Sequence, residues 1–302
     1  MKEKRKTKKP VKKYLEYLGV RFLWFLLSII PFRARKKFGI NLAHFLFRLS
    51  KSKATIIEKN LTASFPEKDS QWIQETKEKN ITYLGRFFAE FIQLLKLKNE
   101  FLNKHVISEP DRAQIWEYFK EGALVISAHL GNWEWTGARG ARWFPEHIYV
   151  MAKRQSNPWS NNLIERARLK AGMLTVYAGE NNFKVVKLLK KKKVVVMVAD
   201  QFAGKHGLTI PFFGRPASTF LGPAVMARVS GAKTFFSFSV HHNDKVKVFV
   251  EPLDSPKADR KKDPEKWEEQ FTMIWSKKLE EKAREYPEQY FWIHNRWKQI
   301  KS

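Results

Sequence analysis

Cysteine is absent, which excludes disulfides, thiolate nucleophiles and cysteine-ligated zinc and leaves serine or histidine chemistry open. Acidic residues are scarce: 30 Asp+Glu face 57 Lys+Arg, a formal net charge of +27. An excess of this size attracts polyanions, whether nucleic acid, anionic lipid or an acidic carrier protein, and charge alone does not choose among them. Internal repeats and long flexible linkers are also lacking. With 302 residues and 43% hydrophobic content, the chain has enough apolar material for a substantial core.

A long apolar run is missing as well. The most apolar stretch, residues 22–30, stops at Pro31. As a helix it covers about 14 Å of a hydrocarbon layer roughly 30 Å thick. Basic blocks flank it, with Lys2, Lys4, Arg5, Lys6, Lys8, Lys9, Lys12 and Lys13 before it and Arg33, Arg35, Lys36 and Lys37 after it. Apolar contact combined with lysines on anionic headgroups suits an interfacial helix better than a spanning one. A cleaved signal peptide would need small residues where Pro31-Phe32-Arg33 stand. Residues 1–32 therefore read as a basic N-terminus and membrane-anchoring helix ahead of a domain over 33–302.

What is present has a clear order. From about residue 40 to 97 the text is helical: Ile56, Ile57, Leu61 and Phe65 recur at helical spacing, as do Tyr83, Phe87, Phe91, Leu94 and Leu95, with Pro66 between the two segments. Beyond Pro110, apolar runs at 123–127, 147–151, 173–177 and 194–199 alternate with helical ones, which predicts an α/β fold with a mostly parallel central sheet flanked by helices. Residues 234–240 and 245–250 read as a hairpin across His241-His242-Asn243-Asp244, an Asn-Asp turn that accounts for the two histidines without a metal. Asp263-Pro264 caps a last helix. The lysines at 190–193 sit at a helix C-terminus, where cations complement the dipole.

Chemistry concentrates in Val125-Ile-Ser-Ala-His-Leu-Gly-Asn-Trp-Glu134. A strand ends at a small residue, His129 follows, and Gly131-Asn132 makes a turn ready to cap a helix; ligands bind at such strand ends. His129 and Glu134 would lie about 140° apart on a continuous helix, so their cooperation needs His129 in the loop and Glu134 in the helix's first turn. A carboxylate on one ring nitrogen fixes the histidine tautomer while the other nitrogen takes a proton. This is a catalytic triad without its serine, with a substrate hydroxyl in the serine's place.

On several ordered blocks the chain resembles the bacterial lipid A late acyltransferases, the lauroyl and myristoyl transferases. The blocks are Asn60-Leu61 with Ser64-Phe65-Pro66, His129-x-Gly131-Asn132-Trp133-Glu134, Arg154 with Asn157-Pro158, Arg166-x-Arg168, Asp200-Gln201, Pro211-Phe-Phe-Gly214, Gly222-Pro223-Ala224 and the C-terminal Pro287-Glu-Gln-Tyr-Phe-Trp-Ile-His-Asn-Arg-Trp-Lys298. Two departures stand out: Gln155 where the family often has proline, and Phe202 where it often has an acid.

The resemblance implies a glycerolphosphate-acyltransferase-like fold at the cytoplasmic face of the inner membrane. It implies an acyl-carrier-protein thioester as donor, a hydroxyl of a lipid A precursor as acceptor, and no cofactor or metal. His129 and Glu134 fall on the catalytic positions, and Asn132, Arg154, Arg166 and Asp200 within the matching blocks are candidate substrate-binding residues, arginine being suited to phosphate. The implied partners are acyl-carrier protein, a lipid acceptor and an anionic membrane surface, with no specific nucleic acid. Another glycolipid or phospholipid acceptor is the nearest alternative, since catalysis asks only for a positioned hydroxyl. A basic nucleic-acid-binding protein is the rival from another class, although the chain has no recognisable binding module. The aromatic Tyr290, Phe291 and Trp292 read as core packing.

Overall fold

A computed structural model of the chain describes residues 10–179 and 182–298; the basic block at 2–9 lies outside them. Four helices come first: α1 (Pro10–Ile29), α2 (Phe32–Leu49), α3 (Lys51–Ser64) and α4 (Ser70–Phe91). Pro31 separates α1 from α2, and Asp69 caps α4 by accepting from the Trp72 amide at 2.8 Å. Helices α2 and α4 cross in close contact at Gly39 and Gly85, where a Cβ on Gly39 would lie 2.7 Å from the Gly85 carbonyl oxygen.

The α/β part continues through α5 (Asn99–His105), β1 (Val106–Glu109), α6 (Arg112–Phe119), β2 (Ala123–Ser127), α7 (Trp133–Trp143), β3 (Ile148–Ala152), α8 (Pro158–Lys170), β4 (Leu174–Tyr177), α9 (Asn182–Lys190) and β5 (Val194–Val198). A small hairpin of β6 (Leu208–Phe212) and β7 (Arg215–Thr219) precedes α10 (Gly222–Ser230), β8 (Lys233–His242), β9 (Lys245–Pro252) and α11 (Pro264–Glu285). Seven strands form one sheet in the order β1-β9-β8-β2-β5-β3-β4. Strands β8, β2, β5, β3 and β4 run parallel, while β9 reverses direction against β8 and carries β1 parallel to itself. The expected mostly parallel sheet and the hairpin both form, with β1 added outside the antiparallel β8–β9 pair as the edge strand.

Two apolar layers enclose the sheet. Alternate residues of β2 and β5 point to opposite faces: Leu124, Ile126, Val195 and Met197 join α3, α4, α9, α10 and α11, while Ala123, Val125 and Val194 join α5, α6, α7 and α8. The buried Trp24 and Leu27 tie α1 to this second layer, Trp24 packing edge-on to Phe91 at 5.4 Å. Asn157 caps α8 and donates to the Lys13 carbonyl at 2.6 Å, fixing the start of α1 to the domain. No helix among the described residues is long and apolar enough to cross a membrane.

Candidate active site

The strand register builds the site. In the parallel pair β2–β5, Ser127 lies opposite Val198, so two residues further on His129 faces Asp200 at the carboxyl ends of the strands. The His129 ring Nδ1 is 2.6 Å from Asp200 Oδ1, and the His129 backbone N–H donates to Asp200 Oδ2 at 3.1 Å. Both carboxylate oxygens thus hold one residue, its ring and its main chain. An ionised Asp200 assigns the proton to Nδ1 and leaves Nε2 as the acceptor. The imidazole side chain is 19% exposed and the Asp200 side chain 3%, so an incoming group reaches the ring and not the acid.

Burial raises the Asp200 carboxyl pKa, but the His129 charge and its hydrogen bonds outweigh that penalty and hold it below the ordinary value. The phenols of Tyr83 and Tyr290 are pushed well above theirs, first by burial and then by the nearby Asp200 charge. Gln201 Nε2 sits 3.4 Å from His129 Nε2. The ring lies edge-on to Trp133 at 4.6 Å and beside Phe291 at 5.6 Å.

The loop after β2 is clamped from several sides. Gly131 has a φ of +63°, and a Cβ there would come within 1.9 Å of the Ser239 carbonyl oxygen, so only glycine fits. The C-terminal aromatic block pairs with this loop: the Gly131 amide donates to the Gln289 carbonyl at 3.0 Å and the Phe291 amide to the His129 carbonyl at 3.1 Å. Asn80 donates to the Tyr290 carbonyl at 2.8 Å, and Asn60 to the Trp292 carbonyl at 2.7 Å. Tyr290 and Trp292 are buried as packing residues should be, whereas Phe291 stands beside the histidine.

Three expected site residues change role. Glu134 was to orient His129, yet its carboxylate is gripped by both arms of Arg168, at 2.5 Å to Oε1 and 3.1 Å to Oε2. The first turn of α7 aims Glu134 at α8, and Asp200 occupies the ring nitrogen in its place. Burial disfavours the Arg168 charge, but Glu134 more than offsets this and lifts the guanidinium pKa. Asp200, expected to bind substrate, is thus the histidine's partner. Asn132 is wholly buried: its Oδ1 caps α7 by accepting from the Trp135 amide at 3.0 Å, and its Nδ2 donates to Glu90 at 2.7 Å. It builds the loop from inside, with both ends of its amide held by the protein.

The two arginines named as substrate residues do not join the pair. Arg166 is exposed on α8, and its helix neighbour Arg168 takes the inward position, because residues two apart on a helix point about 200° apart. Arg154 is exposed and lies over the Tyr177 ring at 3.7 Å.

Glu90 was not read from the sequence, and His241, expected at a hairpin tip, lies within β8 and turns its buried ring towards Glu90. Glu90 accepts from Asn132, pairs with Arg86 at 2.8 Å, and lies 2.7 Å from His241 Nε2. Burial alone would raise its pKa, but His241 and Arg86 overcome that and bring it down to about 2. The folded pKa is depressed, so the stabilisation is complete above the unfolded value and is lost as pH falls from about 5 towards 2. For the ordinary value of 4.5, the difference is worth on the order of 3 kcal/mol. Denaturant unfolding of the wild type should therefore show stability falling across that window. Glu90→Gln should start lower at pH 7 and fall less steeply. Parallel pH curves for the two proteins would remove Glu90 from this role.

A narrow apolar cavity of about 80 Å³ lies between the sheet and α7. Trp133, Glu134, Ser127 and Arg168 line it, with Val125, Val196, Val150 and Met173 deeper in. Trp133 joins cavity and histidine, since the same ring packs against His129.

Fold and site define a class: a three-layer α/β protein with a buried-acid, accessible-histidine pair at the carboxyl ends of parallel strands, next to an apolar cavity. The chain belongs to the bacterial lipid A biosynthesis acyltransferases, whose family model matches residues 1–299. It is 25% identical over 295 residues to the lipid A biosynthesis lauroyltransferase of Escherichia coli (strain K12), covering 94% of this chain and 92% of that protein. Against the palmitoleoyltransferase of the same organism it is 25% identical over 296 residues, covering 94% and 91%. The lipid A biosynthesis acyltransferase of Shigella flexneri matches to the same extent. Family membership makes the chain an acyltransferase of lipid A synthesis.

Proposed function

We propose that this acyltransferase moves a fatty acyl chain from an acyl-carrier-protein thioester to a hydroxyl of a lipid A precursor, with His129 as the base. The observation that carries the reading is the His129–Asp200 pair beside an apolar cavity: one end of the site handles a proton, the other takes a hydrocarbon tail. The acceptor oxygen attacks the thioester carbonyl as its proton passes to His129 Nε2. The tetrahedral adduct collapses with loss of the C–S bond, and the departing thiolate takes the proton back from the imidazolium. Asp200 stabilises the imidazolium between these transfers and keeps the ring in register. No cofactor is required. The exposed Arg154 and Arg166 are proposed to meet acidic groups of carrier or acceptor at the rim.

The reading places the protein on the cytoplasmic face of the inner membrane, held by α1. Phe22, Phe25 and Ile29 of that helix are exposed, and basic residues stand at both of its ends. This combination suits burial in the headgroup boundary of an anionic leaflet.

One assay tests both parts. The full chain and a 33–302 chain are mixed with acyl-carrier thioester and anionic vesicles containing lipid A precursor, and the lipids are weighed by mass spectrometry after flotation of the vesicles. The full chain should float with the vesicles and add one acyl mass to the precursor. The shorter chain should stay largely in solution and acylate far more slowly. Acylation of a glycolipid or phospholipid in place of the precursor would change the acceptor. Absence of any acyl gain by a folded, floating protein would refute the reading, and undiminished flotation of the short chain would refute the anchor.

A further inference from the structure

The acyl cavity has a direction. Strands β2 and β5 run towards His129, so Val125 and Val196 lie deeper than Ser127 and Val198, all four lining the cavity. Helix α7 runs the other way: it starts with Trp133 against the histidine and passes Gly137 and Gly140 before ending at Trp143. Ten residues of helix carry the lining about 15 Å from the mouth. Trp143 is the point where the cavity meets something else. A second, solvent-open groove lies at the opposite end of the sheet, lined by Arg112, Trp116, Phe144 and His147, and Trp143 lines both spaces.

We infer that Trp143 is the end-stop of the acyl cavity, a partition whose removal would join the cavity to the outer groove and admit longer chains. The inference rests on the acyl-transfer reading above. The indole is half-buried, as a wall between a closed and an open space should be. It is also held in place: the Arg139 guanidinium stacks over the ring at 4.3 Å, Arg139 is tied to Asn103 at 2.6 Å, and Arg112 donates to the Trp143 carbonyl at 3.2 Å. A stacked arginine adds about 0.5–2 kcal/mol in favour of the ring's present position. The partition is therefore a fixed wall of defined depth, and a terminal methyl that reaches it has nowhere further to go. Chains longer than the cavity are rejected by the cost of displacing the ring from its stack.

The test is a chain-length profile. Wild type, Trp143→Ala and Trp143→Leu are compared for transfer from carrier thioesters of increasing acyl length, with thermal melting as the check of folding. The Ala variant should gain at least ~10-fold in the rate for chains two to four carbons beyond the wild-type optimum, relative to the rate at that optimum, since a methylene in a shaped pocket is worth about that much. Trp143→Leu should shift the profile less. Calorimetric binding of free fatty acids of graded length runs beside it and reads the cavity without the chemistry. An unchanged profile in folded variants, with wild-type transfer intact, overturns the end-stop alone. A longest-bound fatty acid that lengthens in Trp143→Ala, in a protein that transfers no acyl group, would instead keep the end-stop and overturn the acyl-transfer reading.

Discussion

Replacing His129 with alanine should lower acyl transfer by about 10²–10⁴-fold, the usual contribution of a positioned general base. The protein should still fold, because the ring is partly exposed and its loop is fixed by other contacts: Gly131 to Gln289, Phe291 to the His129 carbonyl, and Asn132 to Glu90. Asp200→Asn should cost a comparable factor for a different reason. An amide can accept from Nδ1–H only weakly, or can donate and force the wrong tautomer, and it no longer balances the imidazolium. The backbone bond from His129 to Oδ2 means that Asp200→Asn also loosens the loop, so its melting temperature should drop more than that of His129→Ala. Because the two side chains act as one unit, the double variant should be scarcely slower than the slower single one. Initial rates from a carrier thioester to a lipid acceptor measure this. Near-normal turnover in a well-folded His129→Ala protein would end the mechanism, and a labelled acyl group attached covalently to the wild type would replace direct transfer with two steps.

The sheet was largely legible because parallel strands buried on both faces are written as continuous apolar runs. Residues 123–127 and 194–198 are such runs, 148–152 and 174–177 are mostly apolar though only part-buried, and each of the four lies within a residue or so of its reading. Strand β1 has four residues with mixed burial, and β6–β7 carry Pro211 and Pro216 opposite each other, so neither announces itself by periodicity. At the site, the strand-turn-helix signature found His129, but nearness in sequence stood in for nearness in space when Glu134 was made its partner. The same strand-end rule points to Asp200, which follows β5 as His129 follows β2; what the text withholds is that these two strands are neighbours. The choice between Arg166 and Arg168 depended on which face of α8 turns inward. Glu90 and His241 stand 151 positions apart, with no local signal that links them.

The Glu134–Arg168 pair yields the second large effect, and it separates support from chemistry. The Glu134 side chain is 5% exposed and that of Arg168 22%, and both line the apolar cavity. Removing one partner strands the other charge against hydrocarbon-like walls, which costs about 3 kcal/mol, the lower end of the range for a broken buried pair because Arg168 retains some water. Glu134→Gln and Arg168→Met should each lower the melting temperature by roughly 5 °C. Replacing both together, Glu134→Leu with Arg168→Met, should recover most of that loss, since an apolar pair of similar volume needs no compensation. A pair that positions α7 through this bond should also leave turnover in the rescued double variant within ~10-fold of wild type, with the loss appearing mainly in KM for the acyl donor, whose tail shares the cavity. The measurements are thermal melts and steady-state kinetics on the three variants. A Glu134→Gln protein that melts normally yet transfers ~10²-fold more slowly would put Glu134 itself at the reacting atoms, with Arg168 serving to hold it there.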